Sequence, residues 1–213
     1  MQRIREFVKK FSNPLQKARK CSIITIIAIF PKGEWERTVA GMTRAETLVA
    51  LLLEKGMTIT AAESCTGGLV AASIVSVSGA SQVFPGSVVS YATRVKEELL
   101  SVDPEAVATY TVVSDPVARQ MAQGARQLLG TDVAVSVTGV AGPTGGTEET
   151  PVGTVFVGVA TGDGAHARRF FFRGDRDEVR RQAVEAALSL AIQAAESEIK
   201  FATRQGGNTN EKL

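Results

Sequence analysis

The sequence predicts one three-layer α/β/α domain on a mixed, mainly parallel sheet, and three observations carry that expectation. Residues 58–70 (TITAAESCTGGLV) form a short β-like run that breaks at Ser64 and becomes a small-residue helix. Strand-type and helix-type patterns alternate from residue 43 to residue 138, the signature of parallel strands joined by helices. Residues 154–160 and 167–173 then read as a hairpin across Thr161-Gly162-Asp163-Gly164, so antiparallel strands join the parallel set. With 213 residues, 44% of them hydrophobic and 22% charged, the chain is long enough to bury a substantial core.

Residues 1–41 are expected to be an extension outside the domain. Within residues 1–20, Arg3, Arg5, Lys9, Lys10, Lys17, Arg19 and Lys20 face only Glu6, which leaves the rest of the chain mildly acidic although the formal net charge is +2. The basic excess therefore argues for no nucleic-acid surface on the domain itself. The apolar run at 21–30 is too short to span a bilayer as a helix. It resembles a secretory signal without a small-x-small cleavage site, and an amino-terminal membrane anchor stays open as a second reading.

The domain is expected over residues 42–201. Residues 43–56 have helical spacing, with Thr43 and Glu46 placed as a capping box and Gly56 as the stop. Residues 57–62 read as a strand, and residues 69–77, apolar nearly all round, as a buried helix. Residues 87–91 are rich in β-branched side chains and read as a strand, followed by a helix over 92–100 with Thr93 as its cap. Ser114-Asp115-Pro116 opens a helix that runs to Gly130, and residues 131–138 alternate as a strand. Asp175 and Glu178 start a long last helix, to about residue 201, and a Gly/Asn-rich tail over 202–213 is expected to be disordered.

Chemistry has few candidates. Cys21 and Cys65 belong to no C-x-x-C pair or Cys/His cluster, which disfavours zinc or redox work and fits a cytoplasmic compartment. His166, the single histidine, follows the hairpin turn and is expected to be exposed, so a histidine-based triad is disfavoured. Ser64 reads either as an active-site serine at an elbow or as a helix N-cap. In the first reading the N–H groups of Thr66, Gly67 and Gly68 would receive an anion or oxyanion. Lys96, just past a strand, would share the sheet rim with Ser64 if the two strands are parallel neighbours. On residues alone, an exposed lysine beside Glu97 and Glu98 is the simpler reading. The glycine-dense stretch 139–153 is neither a P-loop nor a dinucleotide fingerprint, and it favours a ligand loop over a surface connector.

Three motifs together resemble the CinA carboxy-terminal domain family, which includes bacterial nicotinamide mononucleotide deamidases. They are Glu63-Ser64-Cys65-Thr66-Gly67-Gly68, Tyr91 with Lys96, and Thr138-Gly139-Val140-Ala141-Gly142-Pro143 continuing through Gly145-Gly146-Thr147 to Pro151-Val152-Gly153-Thr154-Val155. The resemblance spans about Ala45 to Ala195 in order and spacing. It implies hydrolysis of nicotinamide mononucleotide to nicotinate mononucleotide and ammonia in pyridine nucleotide recycling, by a serine/lysine mechanism with no metal and no cofactor. Ser64 would be the nucleophile, Lys96 the general base and Tyr91 a proton-relay neighbour. The N–H groups of Thr66, Gly67 and Gly68 would bind the oxyanion. The loop, through Gly139, Gly142, Gly145, Gly146 and Thr147, would hold the phosphate. The implied partners are a small nucleotide and, as a homo-oligomer, further copies of the chain, with neither nucleic acid nor membrane. The alternative is a non-catalytic competence or DNA-damage accessory protein whose pocket only binds a nucleotide. Thr93 stands where the family usually has Asn, and Thr150 where it often has a basic residue.

Overall fold

The capping box at Thr43 opens the fold. In the computed structural model, which describes the backbone of residues 41–205 and the side chains of residues 41–197, the Thr43 hydroxyl accepts the Glu46 N–H and the Glu46 carboxylate accepts the Thr43 N–H. Helix α1 (Arg44–Lys55) follows and stops at Gly56, whose φ of 63° suits a residue without a Cβ. The basic arm and apolar run before residue 41, and nearly all of the expected tail, lie outside the described residues.

Strand β1 (Ile59–Glu63) is buried along its whole length. It pairs in parallel with β2 (Ser87–Val89) on one side and β3 (Val133–Gly139) on the other. Strands β4 (Thr154–Thr161) and β5 (Gly164–Phe171) complete the sheet as an antiparallel hairpin, in the order β2-β1-β3-β4-β5. A strand buried on both faces needs helices on both, and the chain supplies them. Ile59, Ala61, Val135 and Val157 pack with Leu48 and Leu52 of α1, Val70 and Ile74 of α2 (Leu69–Val75), and Leu188 of α6 (Arg176–Gln205). On the opposite face Ala62, Ala134 and Ala160 pack with Leu100 of α3 (Thr93–Leu100) and with Val117 and Met121 of α5 (Asp115–Leu129). The strand period of two is what sends Ala61 and Ala62 to different layers.

The crossing of α3 and α5 is close. A Cβ at Gly124, in the middle of α5, would lie 1.9 Å from the Leu100 carbonyl oxygen, so only glycine lets the helices meet there. Because Leu100 shares α3 with Lys96, this contact helps set where the lysine sits.

Several local expectations are corrected. Helix α2 is buried on one side only, with Val70 and Ile74 inside and Val75 58% exposed, because nothing among the described residues covers its outer face. The N-cap of α3 is Ala92, which makes no side-chain bond, and Thr93 is the first helical residue. His166 is exposed as expected, but it lies within β5 opposite Val159, because that strand starts at Gly164 rather than at residue 167. Helix α4 (Pro104–Tyr110) was not anticipated. Its Asp103 cap and Pro104 at the first turn are ordinary start signals, but seven residues give too little periodicity to read. No helix of the described residues is long and apolar enough to cross a membrane.

Candidate active site

Parallel pairing of β1 with β2 puts the residues that follow both strands on one rim of the sheet. Ser64 follows β1 directly. Lys96, one turn into α3, turns back to it, and its Nζ lies 3.1 Å from the Ser64 Oγ and 2.5 Å from the Ser90 carbonyl oxygen. The lysine is 1% exposed, which overturns the simpler reading of a solvated charge. Burial without a carboxylate partner disfavours the ammonium, and desolvation holds the Lys96 pKa below its ordinary 10.5, opposed by the nearby Cys65 thiol. A neutral amine in this position would still donate to the Ser90 carbonyl and have a lone pair to turn toward the Ser64 hydroxyl.

The elbow itself is held by an accounting of N–H groups. Ser64 N–H is taken by Val137 O, Gly67 N–H by Ser64 O, Leu69 N–H by Thr66 O and Ala72 N–H by Gly68 O. The fully buried Glu63 carboxylate takes three more, from Gly68 at 3.0 Å, Val70 at 3.0 Å and Ala71 at 2.9 Å. This corrects the expectation that Gly67 and Gly68 offer N–H groups to an oxyanion, since an internal carboxylate and the turn have already consumed them. Two remain without a hydrogen-bonded acceptor among the described residues, those of Thr66 and of Cys65, the latter lying by its own thiol. The Thr66 hydroxyl is also buried and unpartnered.

Two arginines at the start of α6 tie the elbow to the glycine-rich loop. Arg180 donates to the carbonyl oxygens of Cys65 at 3.2 Å and Thr66 at 3.0 Å and pairs with Asp177. One turn earlier, Arg176 donates to Gly142 O at 2.7 Å and to the Tyr91 hydroxyl at 3.3 Å. Tyr91, 64% exposed, therefore stands over the site as a partner of Arg176, with no hydrogen bond to Ser64 or Lys96. Its expected role as a relay neighbour has no contact behind it. Both guanidinium groups lie near Cys65, yet burial dominates and pushes its thiol up to about 11.

The loop is more self-bound than its glycines suggest. Gly139 ends β3 against Val155, and a Cβ there would lie 2.7 Å from Thr154 O, so its glycine serves strand packing. Thr147 spends its N–H on Thr150 O and its hydroxyl on Thr150. Thr150, where a cation was missed, thus closes a turn, and Arg176 supplies the cation beside the loop. Gly142 and Gly146 approach Val152 too closely for a Cβ, at 2.5 and 2.7 Å. The N–H groups of Gly142, Gly145 and Gly146 keep no acceptor among the described residues.

Sequence reasoning placed Ser64, Lys96 and the loop together but missed Arg176, Arg180, Ser90 and the role of Glu63. The arginine spacing of four behind the Asp175/Glu178 cap was a usable sign, because it puts both on one helix face.

Comparison with known proteins bears on the family and the fold. The profile of the CinA C-terminal domain matches residues 42–195. A CinA-like protein of Anaeromyxobacter dehalogenans strain 2CP-C is 48% identical over 145 residues, 68% of this chain and 36% of that protein. A CinA-like protein of Chlorobaculum tepidum is 43% identical over 172 residues, 78% of this chain and 41% of its own length. The chain thus spans well under half of these curated relatives. A crystal structure of a competence-damaged (CinA) superfamily protein from Klebsiella pneumoniae 700603 superposes with a TM-score of 0.70 at 30% identity, covering 72% of this chain and 96% of that one. A competence/damage inducible protein from Agrobacterium tumefaciens gives 0.67 at 33% identity, with the same coverage.

Proposed function

Since this chain belongs to the CinA C-terminal domain family, we propose that it is an amidohydrolase that converts nicotinamide mononucleotide to nicotinate mononucleotide and ammonia with Ser64 as nucleophile and Lys96 as base. The observation that carries the proposal is the 3.1 Å contact between a buried lysine nitrogen and the elbow serine oxygen. A serine is a weak nucleophile until a base removes its proton, and the one histidine of the sequence, His166, lies on β5, three strands along the sheet from β1. Burial holds the Lys96 pKa below its ordinary 10.5, which makes the amine easier to deprotonate, and so a readier base, than an exposed lysine.

In this reading Lys96 takes the Ser64 proton as Oγ attacks the amide carbon. The tetrahedral oxygen draws on the Thr66 and Cys65 N–H groups, the pair left free by the elbow. Lys96 returns the proton to the departing nitrogen, ammonia leaves, and water hydrolyses the acyl-serine by the same base. The open N–H groups of Gly142, Gly145 and Gly146, with Arg176 beside them, suit the nucleotide phosphate. Tyr91 walls the entrance next to Arg176. Such chemistry belongs in pyridine nucleotide recycling, in the cytoplasm.

The test is release of ammonia across a panel of pyridine amides, with and without ribose phosphate. Nicotinamide mononucleotide should give ammonia and nicotinate mononucleotide in equal amounts, while free nicotinamide should be a poor substrate. Binding of the nucleotide with no ammonia released would favour the accessory-protein reading instead.

A further inference from the structure

We propose that Glu63 is a positioning residue of the Ser64–Lys96 pair, its buried carboxylate fixing the turn that follows the serine while its backbone carbonyl, which any residue there would supply, braces Ser90 at the seat of the lysine. The inference rests on the reading of Ser64 as nucleophile. It adds a residue to which neither the motif reading nor the reaction gave a role.

Two connections run from Glu63. Its carboxylate gathers the N–H groups of Gly68, Val70 and Ala71, which anchors the first turn of α2 to the residue immediately before the serine. Its backbone carbonyl accepts the Ser90 N–H at 2.7 Å and lies 3.4 Å from the Ser90 hydroxyl. Ser90 in turn offers its carbonyl to Lys96 Nζ at 2.5 Å. One fully buried residue is thus bonded to the helix that follows the nucleophile and to the residue that holds the base.

The charge matters as well as the shape. Three N–H groups converging on a site closed to water need an acceptor with several lone pairs, and a carboxylate has them where an amide side chain would turn donors against donors. Charge-assisted bonds are also roughly twice as strong as neutral ones. Filling the start of α2 from inside leaves the free N–H groups of Cys65 and Thr66 as the place where an outside oxyanion can be received.

The experiment compares wild type with Glu63→Gln at equal concentrations of folded protein. It reads kcat and KM for nicotinamide mononucleotide, and the rate at which a fluorophosphonate probe forms an Oγ–P bond on Ser64 with loss of fluoride. Because an ångström of misplacement can cost about 100-fold, kcat and the labelling rate should each fall about 10- to 100-fold with KM within about twofold. A variant with lower thermal stability but unchanged kcat and labelling would make Glu63 merely structural and overturn the proposal. A higher KM at unchanged kcat would overturn it too, by making Glu63 part of substrate binding. Should the Gln variant not fold, Glu63→Asp, which keeps the charge on a shorter arm, is read against the same criteria. If wild type releases no ammonia from any pyridine amide, the proposed reaction fails while the labelling rates still decide the role of Glu63. Absence of any labelling of Ser64 in wild type overturns both.

Discussion

Replacing Lys96 by Met separates the lysine's chemistry from its bulk. The side chain is buried to 1% exposure, and Met fills a similar apolar volume without the amine. A positioned general base contributes about 10²- to 10⁴-fold, so kcat should fall by that factor, or about 3–5 kcal/mol of barrier. Stability should move differently. The Ser90 carbonyl loses a donor, at about 1–3 kcal/mol, while the variant no longer buries an ionisable amine. Lys96 has its folded pKa below 10.5, so the unfolded chain binds more protons between the two values. The wild type therefore carries a fixed penalty below the folded pKa and loses it as pH climbs toward 10.5. The Tm of the variant minus that of wild type should be most favourable below the folded pKa of Lys96 and decline as pH climbs from there toward 10.5. Ammonia release and thermal melts from pH 6 to 10 read both effects. Activity within about tenfold of wild type would refute the base assignment, and a Tm difference independent of pH would refute the buried-amine account.

The other expectations concern the frame around the pair. In wild type, log kcat/KM should rise with pH to an inflection below 10.5, and a flat profile would count against a lysine base. Gly124→Ala forces a Cβ to 1.9 Å from Leu100 O, so it should destabilise by at least about 1–3 kcal/mol in denaturant melts and lower activity by shifting α3. Near-native stability and activity would show that the crossing has slack. Arg180→Met frees the Cys65 and Thr66 carbonyls and should cost about 1–3 kcal/mol together with a fall in kcat, whereas unchanged kcat would show the elbow rigid without it. Cys65, with its thiol pushed up to about 11 and its side chain buried, should resist alkylation at pH 8 in peptide mapping of the native protein.

Much of the fold was legible because its signals are local. The Thr43/Glu46 box, the Asp175/Glu178 box and the stops at Gly56 and Gly130 each act within one helical turn. The sheet was legible because alternation and hairpin spacing survive tertiary packing. The site was legible only as far as motifs reach. Ser64 announces itself at a strand-to-helix break, whereas Lys96 looks like any lysine beside two glutamates until parallel pairing of β1 and β2 aims it inward. Glu63 was hidden by its own placement, since a carboxylate in a strand gives no local hint that it reaches forward to cap a helix. Arg176 and Arg180 lie more than a hundred residues from the elbow, and only the packing of α6 brings them to it. Thr147 misled in the other direction, as a polar residue in a glycine loop that turned out to bond its own loop.

The most direct test of the account is the rate of ammonia release from nicotinamide mononucleotide by Ser64→Ala, set against wild type at matched folded concentration. The account predicts measurable release by wild type and a loss of at least about 10³-fold in the variant, since removing a nucleophile leaves only binding and oxyanion stabilisation. Release by the variant at the wild-type rate would contradict it.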